Sequence, residues 1–111
     1  MTGTKAIVAG PDAEGIGEAL EAEGVTVVRV ESPVFAEELE EAGISEAAMF
    51  VLTDPEEGIS IPLAKEANPE LTAVCYGEGT LPESVKGMVD LVVDPALLSA
   101  DAVAEELVAA A

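Results

Sequence analysis

The sequence predicts an α/β sandwich, a five-stranded all-parallel sheet with helices on both faces. Three observations carry that expectation. Five short runs rich in Val, Ile, Leu and Ala recur along the 111 residues. Each is followed by an acidic stretch with apolar residues at helical spacing. Glycine or proline marks most of the boundaries between them. Continuous apolar strands alternating with helices suit a parallel sheet buried on both faces and joined by right-handed crossovers. The length suits one domain, residues 1–111.

Lys5-Ala-Ile-Val-Ala9 reads as the first buried strand, followed by a glycine-bearing turn. A helix then runs to about Glu23, with Ile16, Ala19 and Leu20 on one face and Glu14, Glu18 and Glu21 on the other. Gly24 supplies its left-handed C-terminal cap. Val25–Val30 is the second strand, β-branched almost throughout. Ser32 and Pro33 offer an N-cap and first-turn proline for a helix carrying Phe35, Leu39 and Ala42 at core spacing. Gly43 closes that helix, and Ile44 folds back on it. Met49–Leu52 is the third strand and leads into Thr53-Asp54-Pro55. The next helix reaches Ala67 and stops at Asn68-Pro69; its Pro62 either kinks it or marks a later start near Ser60. Leu71–Tyr76 is the fourth strand, followed by Gly77–Thr80 and a short helix from about Leu81 to Gly87. Val89–Val93 is the fifth, ended by Asp94-Pro95, and Ser99 caps a last helix whose inner face is Val103, Leu107 and Ala110.

Charge narrows the function classes. There are 23 acidic residues against four basic ones, no histidine, and a net charge of −19 on a chain that is 50% apolar. Disordered acidic chains lack the apolar residues for a core. This chain has them, so its carboxylates belong on the surface, where they repel one another. Such a surface suits near-molar salt, where the Debye length is about 3 Å, and a halophilic origin is expected. Without histidine there is no Ser-His-Asp hydrolysis, imidazole base chemistry or His-ligated metal. The single cysteine, Cys75, excludes an internal disulfide and a cysteine zinc site, and reads as a buried structural thiol. Lys5, Arg29, Lys65 and Lys86 are too scattered to form a basic stripe, so no nucleic acid is expected as partner. No apolar run approaches the roughly 18 residues of a membrane span, and no basic, apolar leader is present. The expectation is a soluble, cytoplasmic protein without membrane insertion.

Gly10-Pro-Asp-Ala-Glu-Gly-Ile-Gly17 lies where a dinucleotide fold places its phosphate loop, and Glu31 stands near the spacing of the carboxylate that holds a ribose 2′-hydroxyl. With Gly17–Leu20, Ala42–Ala47, Val51–Asp54, Ala64–Pro69 and Asp90–Pro95, the chain resembles the TrkA-N (RCK) domains, nucleotide-binding regulatory domains of potassium channels and transporters. It is also compatible with a small uncharacterised family from halophilic archaea. The resemblance implies a Rossmann-like fold, and the expected ligand surface is the crevice of the Gly10–Gly17 loop, with Gly10, Gly15 and Gly17, together with Glu31, Thr53, Asp54 and the Gly77–Thr80 turn. Two departures qualify it. Aligned on Gly17, the other fingerprint glycines fall on Asp12 and Glu14, whose carboxylates oppose a phosphate. Weak or no binding of NAD, NADP, ATP or AMP is therefore expected, and no cofactor is assigned. TrkA-N domains also carry a strand and helix where Glu31 here passes directly into one helix. Deleting that edge strand from the order 3-2-1-4-5-6 and renumbering leaves 2-1-3-4-5, the flavodoxin-like order, preferred over the half-Rossmann order 3-2-1-4-5.

Response-regulator receivers share the flavodoxin-like order and approximate length, and Asp54 follows the third strand where a receiver carries its phospho-acceptor. A receiver also needs an acidic pair after its first strand to hold Mg²⁺ and a lysine after its fifth. This chain has Gly10-Pro11 with only Asp12 beyond, and Asp94-Pro95. Asp12, Glu31, Asp54, Glu78 and Asp94 fall near the carboxyl ends of strands, where ligands bind in such sheets. Two or three of them could hold a hard cation, but so acidic a surface puts carboxylates everywhere, and no metal site is assigned. No trio supplies nucleophile, base and oxyanion donor. The leading expectation is a non-catalytic ligand-sensing or protein-interaction domain with a degenerate nucleotide site, its partner a protein or small ligand. The alternatives are a working NAD- or nucleotide-binding regulatory domain of TrkA-N type and a receiver-like signalling domain.

Overall fold

A computed structural model describes residues 4–110. The elements are β1 (Lys5–Ala9), α1 (Ile16–Ala22), β2 (Thr26–Val30), α2 (Ala36–Glu41), β3 (Met49–Leu52), α3 (Ser60–Ala67), β4 (Thr72–Tyr76), α4 (Glu83–Lys86), β5 (Leu91–Val93) and α5 (Ala100–Ala110). Short 3₁₀ turns at Ile44–Glu46 and Pro55–Glu57 lead into β3 and α3. The strands form one parallel sheet in the order β2-β1-β3-β4-β5, with Ile7 beside both Val28 and Phe50, Phe50 beside Ala73 and Cys75 beside Val92. This is the flavodoxin-like order, and the half-Rossmann alternative is not adopted.

Burial explains the order. Ala6–Ala9, Met49–Leu52 and Ala73–Tyr76 are buried on both faces, as interior strands of a covered sheet must be. Polar or exposed residues mark the margins, Thr26 and Arg29 in β2 and Val92 in β5. Alternate side chains divide the interior into two cores. Ile7, Phe50, Leu52, Ala73 and Cys75 pack under α2 and α3 with Leu39, Ile61 and Ala64. Val8, Met49, Val51, Val74 and Tyr76 pack under α1 and α5 with Ile16, Leu20, Val103 and Leu107.

Most local expectations are met, with physical reasons where they are not. The third helix takes the later start at Ser60, so Pro62 sits in its first turn, where its missing N–H costs nothing. Ser99 caps α5, its Oγ accepting from the Ala102 N–H at 3.2 Å. Ser32 and Pro33 do not start the second helix. Their peptide bond is cis, Phe35 is the N-cap, and the Glu38 carboxylate accepts from the Phe35 N–H at 3.1 Å. That later start turns Phe35 outward, and Val34 is buried beside Leu39 in its place. Ala110 is exposed, and Ala104 completes the inner face of α5. Among the described residues, no helix is long and apolar enough to cross a membrane.

Candidate functional site

All five strands run parallel, so the loops after them gather at one end of the sheet. At its centre the chain turns sharply after β1. Gly10 has φ 100°, and a Cβ there would come within 2.6 Å of Thr53 Oγ1, so both backbone and space call for glycine. Thr53 in turn ties β3 to β1, its N–H and its Oγ1 both donating to the Ala9 carbonyl, at 3.0 and 3.2 Å. Beyond them lies a cleft of about 230 Å³ between the loops after β1, β3, β4 and β5, lined by Thr53, Asp54, Tyr76 and Pro95 with Glu14 and Glu78. Several polar groups at this end already have partners within the chain. The Tyr76 hydroxyl donates to the Leu98 carbonyl at 2.7 Å, and burial, with the nearby Glu14 charge, pushes the phenol's pKa up. The Asp54 carboxylate accepts from the Glu56 N–H at 3.0 Å and caps the 3₁₀ turn. The Asp94 carboxylate accepts from the Ala96 N–H at 2.9 Å.

Asp12 is the most heavily engaged carboxylate at this end. Its two oxygens accept from the Ile16 N–H at 2.8 Å and the Gly17 N–H at 2.9 Å, the free donors of the first turn of α1. The Arg29 guanidinium donates to the second oxygen at 2.6 Å. Burial raises the acid's pKa, but the Arg29 hydrogen bond and then the Gly17 and Ile16 N–H groups outweigh it and hold the carboxyl below its ordinary range. Arg29 reaches Asp12 across Gly17, where a Cβ would lie 2.5–2.7 Å from the guanidinium. Gly17 makes room for an arginine of the chain itself, and the Asp12 carboxylate occupies the N–H groups that a bound anion would use.

The residues expected to share a ligand surface are therefore divided. Gly10, Thr53 and Asp54 are neighbours, and the last two line the small cleft. Gly15, the N-cap of α1, and Gly17 belong to the Asp12 loop. Glu31 lies apart, in a groove between β2 and α2. Arg29 was not foreseen. Its signal was a lone cation in a β-branched strand, whose register beside Val8 brings it to the α1 loop. Cys75 is buried, and desolvation, with the Asp54 charge, pushes its thiol up to about 11, so it is an inert packing residue.

Solved structures that share this fold include a response regulator and a CheY-like protein. An orphan response regulator of H. pylori superposes with a TM-score of 0.71 at 12% identity, covering 96% of this chain and 94% of that one. A CheY-like protein, TadZ, from Pseudomonas aeruginosa superposes at 0.65 with 17% identity, covering 96% and 98%. At these identities the likeness is one of fold. The residues do not fit the divalent cation that a receiver holds. Asp12 is consumed by α1 and Arg29, Gly10-Pro11 contribute no carboxylate, and no three acidic, cysteine or histidine side chains converge as ligands among the described residues.

These comparisons correct the expected kinship with TrkA-N domains. The neighbours are receiver-like, and the loop that suggested a phosphate site is closed by Asp12. No curated protein matches the chain. Residues 6–107, nearly all of those described, match the model of a family of unknown function, DUF7126. The chain belongs to that family.

Proposed function

We propose that this chain is a receiver-like protein-interaction module that works without phosphoryl transfer at Asp54. The receiver-like fold supports the first half of that statement. The observation that carries the second is the state of Asp12. A receiver's cation needs a pair of open carboxylates directly after β1, and here Asp12, the first acid of that loop, is bound by two backbone N–H groups and an arginine. The end of β5 agrees, since Asp94-Pro95 stands where a receiver's lysine would neutralise a phosphoryl group. A phosphate on Asp54 would face Glu14 and Glu78 across the cleft with neither cation nor ammonium to offset it.

Function then lies in surfaces that other proteins recognise, as a fixed signalling or scaffolding part. Incubation with acetyl phosphate and Mg²⁺, followed by intact mass measurement, tests this. No gain in mass is expected, in the wild type as in Asp54→Asn. Gain of one phosphoryl group that Asp54→Asn abolishes would establish a working receiver instead.

A further inference from the structure

The sheet has two free margins, and they differ. β5 is three residues long, short enough to be a poor template for another strand. β2 is five residues long and, among the described residues, pairs only with β1. The Thr26 N–H donates to the Thr4 carbonyl at 2.8 Å, and the Val30 carbonyl accepts from the Gly10 N–H at 3.0 Å. Backbone groups alternate in direction along a strand, so Val27 and Arg29 turn their N–H and C=O groups outward.

A groove of about 520 Å³ runs beside this margin, between β2 and α2. Val28, Val30 and Pro33 give it an apolar lining, and Phe35 stands at its edge, 56% exposed. Its charges are Glu31, Glu38 and Glu41. Arg29 also borders it, but its guanidinium is drawn to Asp12 on the α1 side, and among the described residues those carboxylates have no ion-pair partner. On that other side Glu18 and Glu21 stand close enough to act on Arg29.

We infer that the β2 margin docks an extended basic segment of a partner protein, added to the sheet as a further strand. This surface and partner rest on the interaction-module reading above. Strand addition draws affinity from backbone hydrogen bonds and selectivity from alternate side chains. Apolar residues on one face of the segment enter the groove against Val28 and Phe35. Lys or Arg residues on the other face meet the acidic α1 side, and those at the groove rim meet Glu31, Glu38 and Glu41. A second copy of this chain is disfavoured as the occupant, because it would set these same carboxylates against themselves, and like charges across an interface cost several kcal/mol.

Amide NMR on labelled protein tests the inference with three synthetic peptides: alternating valine and lysine, the same composition in two blocks, and alternating valine and glutamate. The alternating basic peptide is expected to shift the Val27 and Arg29 amides, with the block peptide at least about tenfold weaker and the glutamate peptide inert. Val27→Pro removes an outward N–H that the β1 ladder does not use, and should abolish binding while the thermal melt stays cooperative. Phe35→Ser alters only an exposed side chain and should weaken binding even if the proline variant fails to fold. Equal affinity for the block peptide, shifts confined to another surface, binding unchanged in Phe35→Ser, or a dimer by light scattering would each overturn the inference. None of these readouts involves Asp54, so phosphoryl transfer there would sink the earlier reading without deciding this one.

Discussion

Asp12 and Asp54 sit at the same end of the same sheet, after β1 and β3, yet they have opposite standing. Asp12 is mostly buried on its side chain and holds three donors, two of them from the first turn of α1. Asp54 has one backbone partner and lines an open cleft. One acid is part of the framework and the other is left over on it. Position at the carboxyl end of a parallel strand is therefore not enough to make a site. What decides is whether neighbouring N–H groups and cations have already taken the carboxylate.

Salt sharpens the contrast most broadly, because screening acts on every open carboxylate at once. With 23 acids against four cations, the urea midpoint should rise steadily as the Debye length falls from about 10 Å at 0.1 M to about 3 Å at 1 M KCl. A midpoint indifferent to KCl would remove the halophile expectation. Asp12→Ala should come next, costing about 2 kcal/mol in urea unfolding, since it strips a charged acceptor from two N–H groups. The exposed Arg29 end of the pair contributes little of that. A loss below about 0.5 kcal/mol would put Asp12 in the same class as Asp54.

Acid unfolding gives the same contrast a sign. The Asp12 carboxyl is held below its ordinary value of 3.8, so its contribution is complete above that value and is lost as pH falls through the lower folded one. The gap in stability between wild type and Asp12→Ala should thus hold through neutral pH and close below about pH 4. A gap that closes only above pH 5 would contradict the depressed pKa. Asp54→Asn is the smallest effect, within about 0.5 kcal/mol at neutral pH, because the amide oxygen can still accept from Glu56.

Much of the fold was legible, and the reasons are particular. Met49–Leu52 and Ala6–Ala9 are apolar throughout and announce interior strands, while Thr26 and Arg29 announce a margin. The preferred strand order is correct, although it was reached by deleting a strand from a family to which the chain does not belong. Burial of β3 against exposure in β2 supports that order without the deletion. Ser32-Pro33 misled because the same dipeptide suits a helix start and a turn, and it delayed the helix enough to expose Phe35. The Asp12 loop was half legible. An acid before a glycine and a helix reads equally as a cap for the helix and as repulsion for a phosphate. The deciding partner, Arg29, is 17 residues away and becomes visible only in the sheet register.

The most direct test of that closed loop is a titration of Mg²⁺ with beryllofluoride, followed at the Ile16, Gly17 and Asp54 amides by NMR. Asp12 already holding its donors predicts no saturable shift at any of the three through the millimolar range. Saturable shifts at all three, with Arg29 released from Asp12, would show an open cation site and contradict the account.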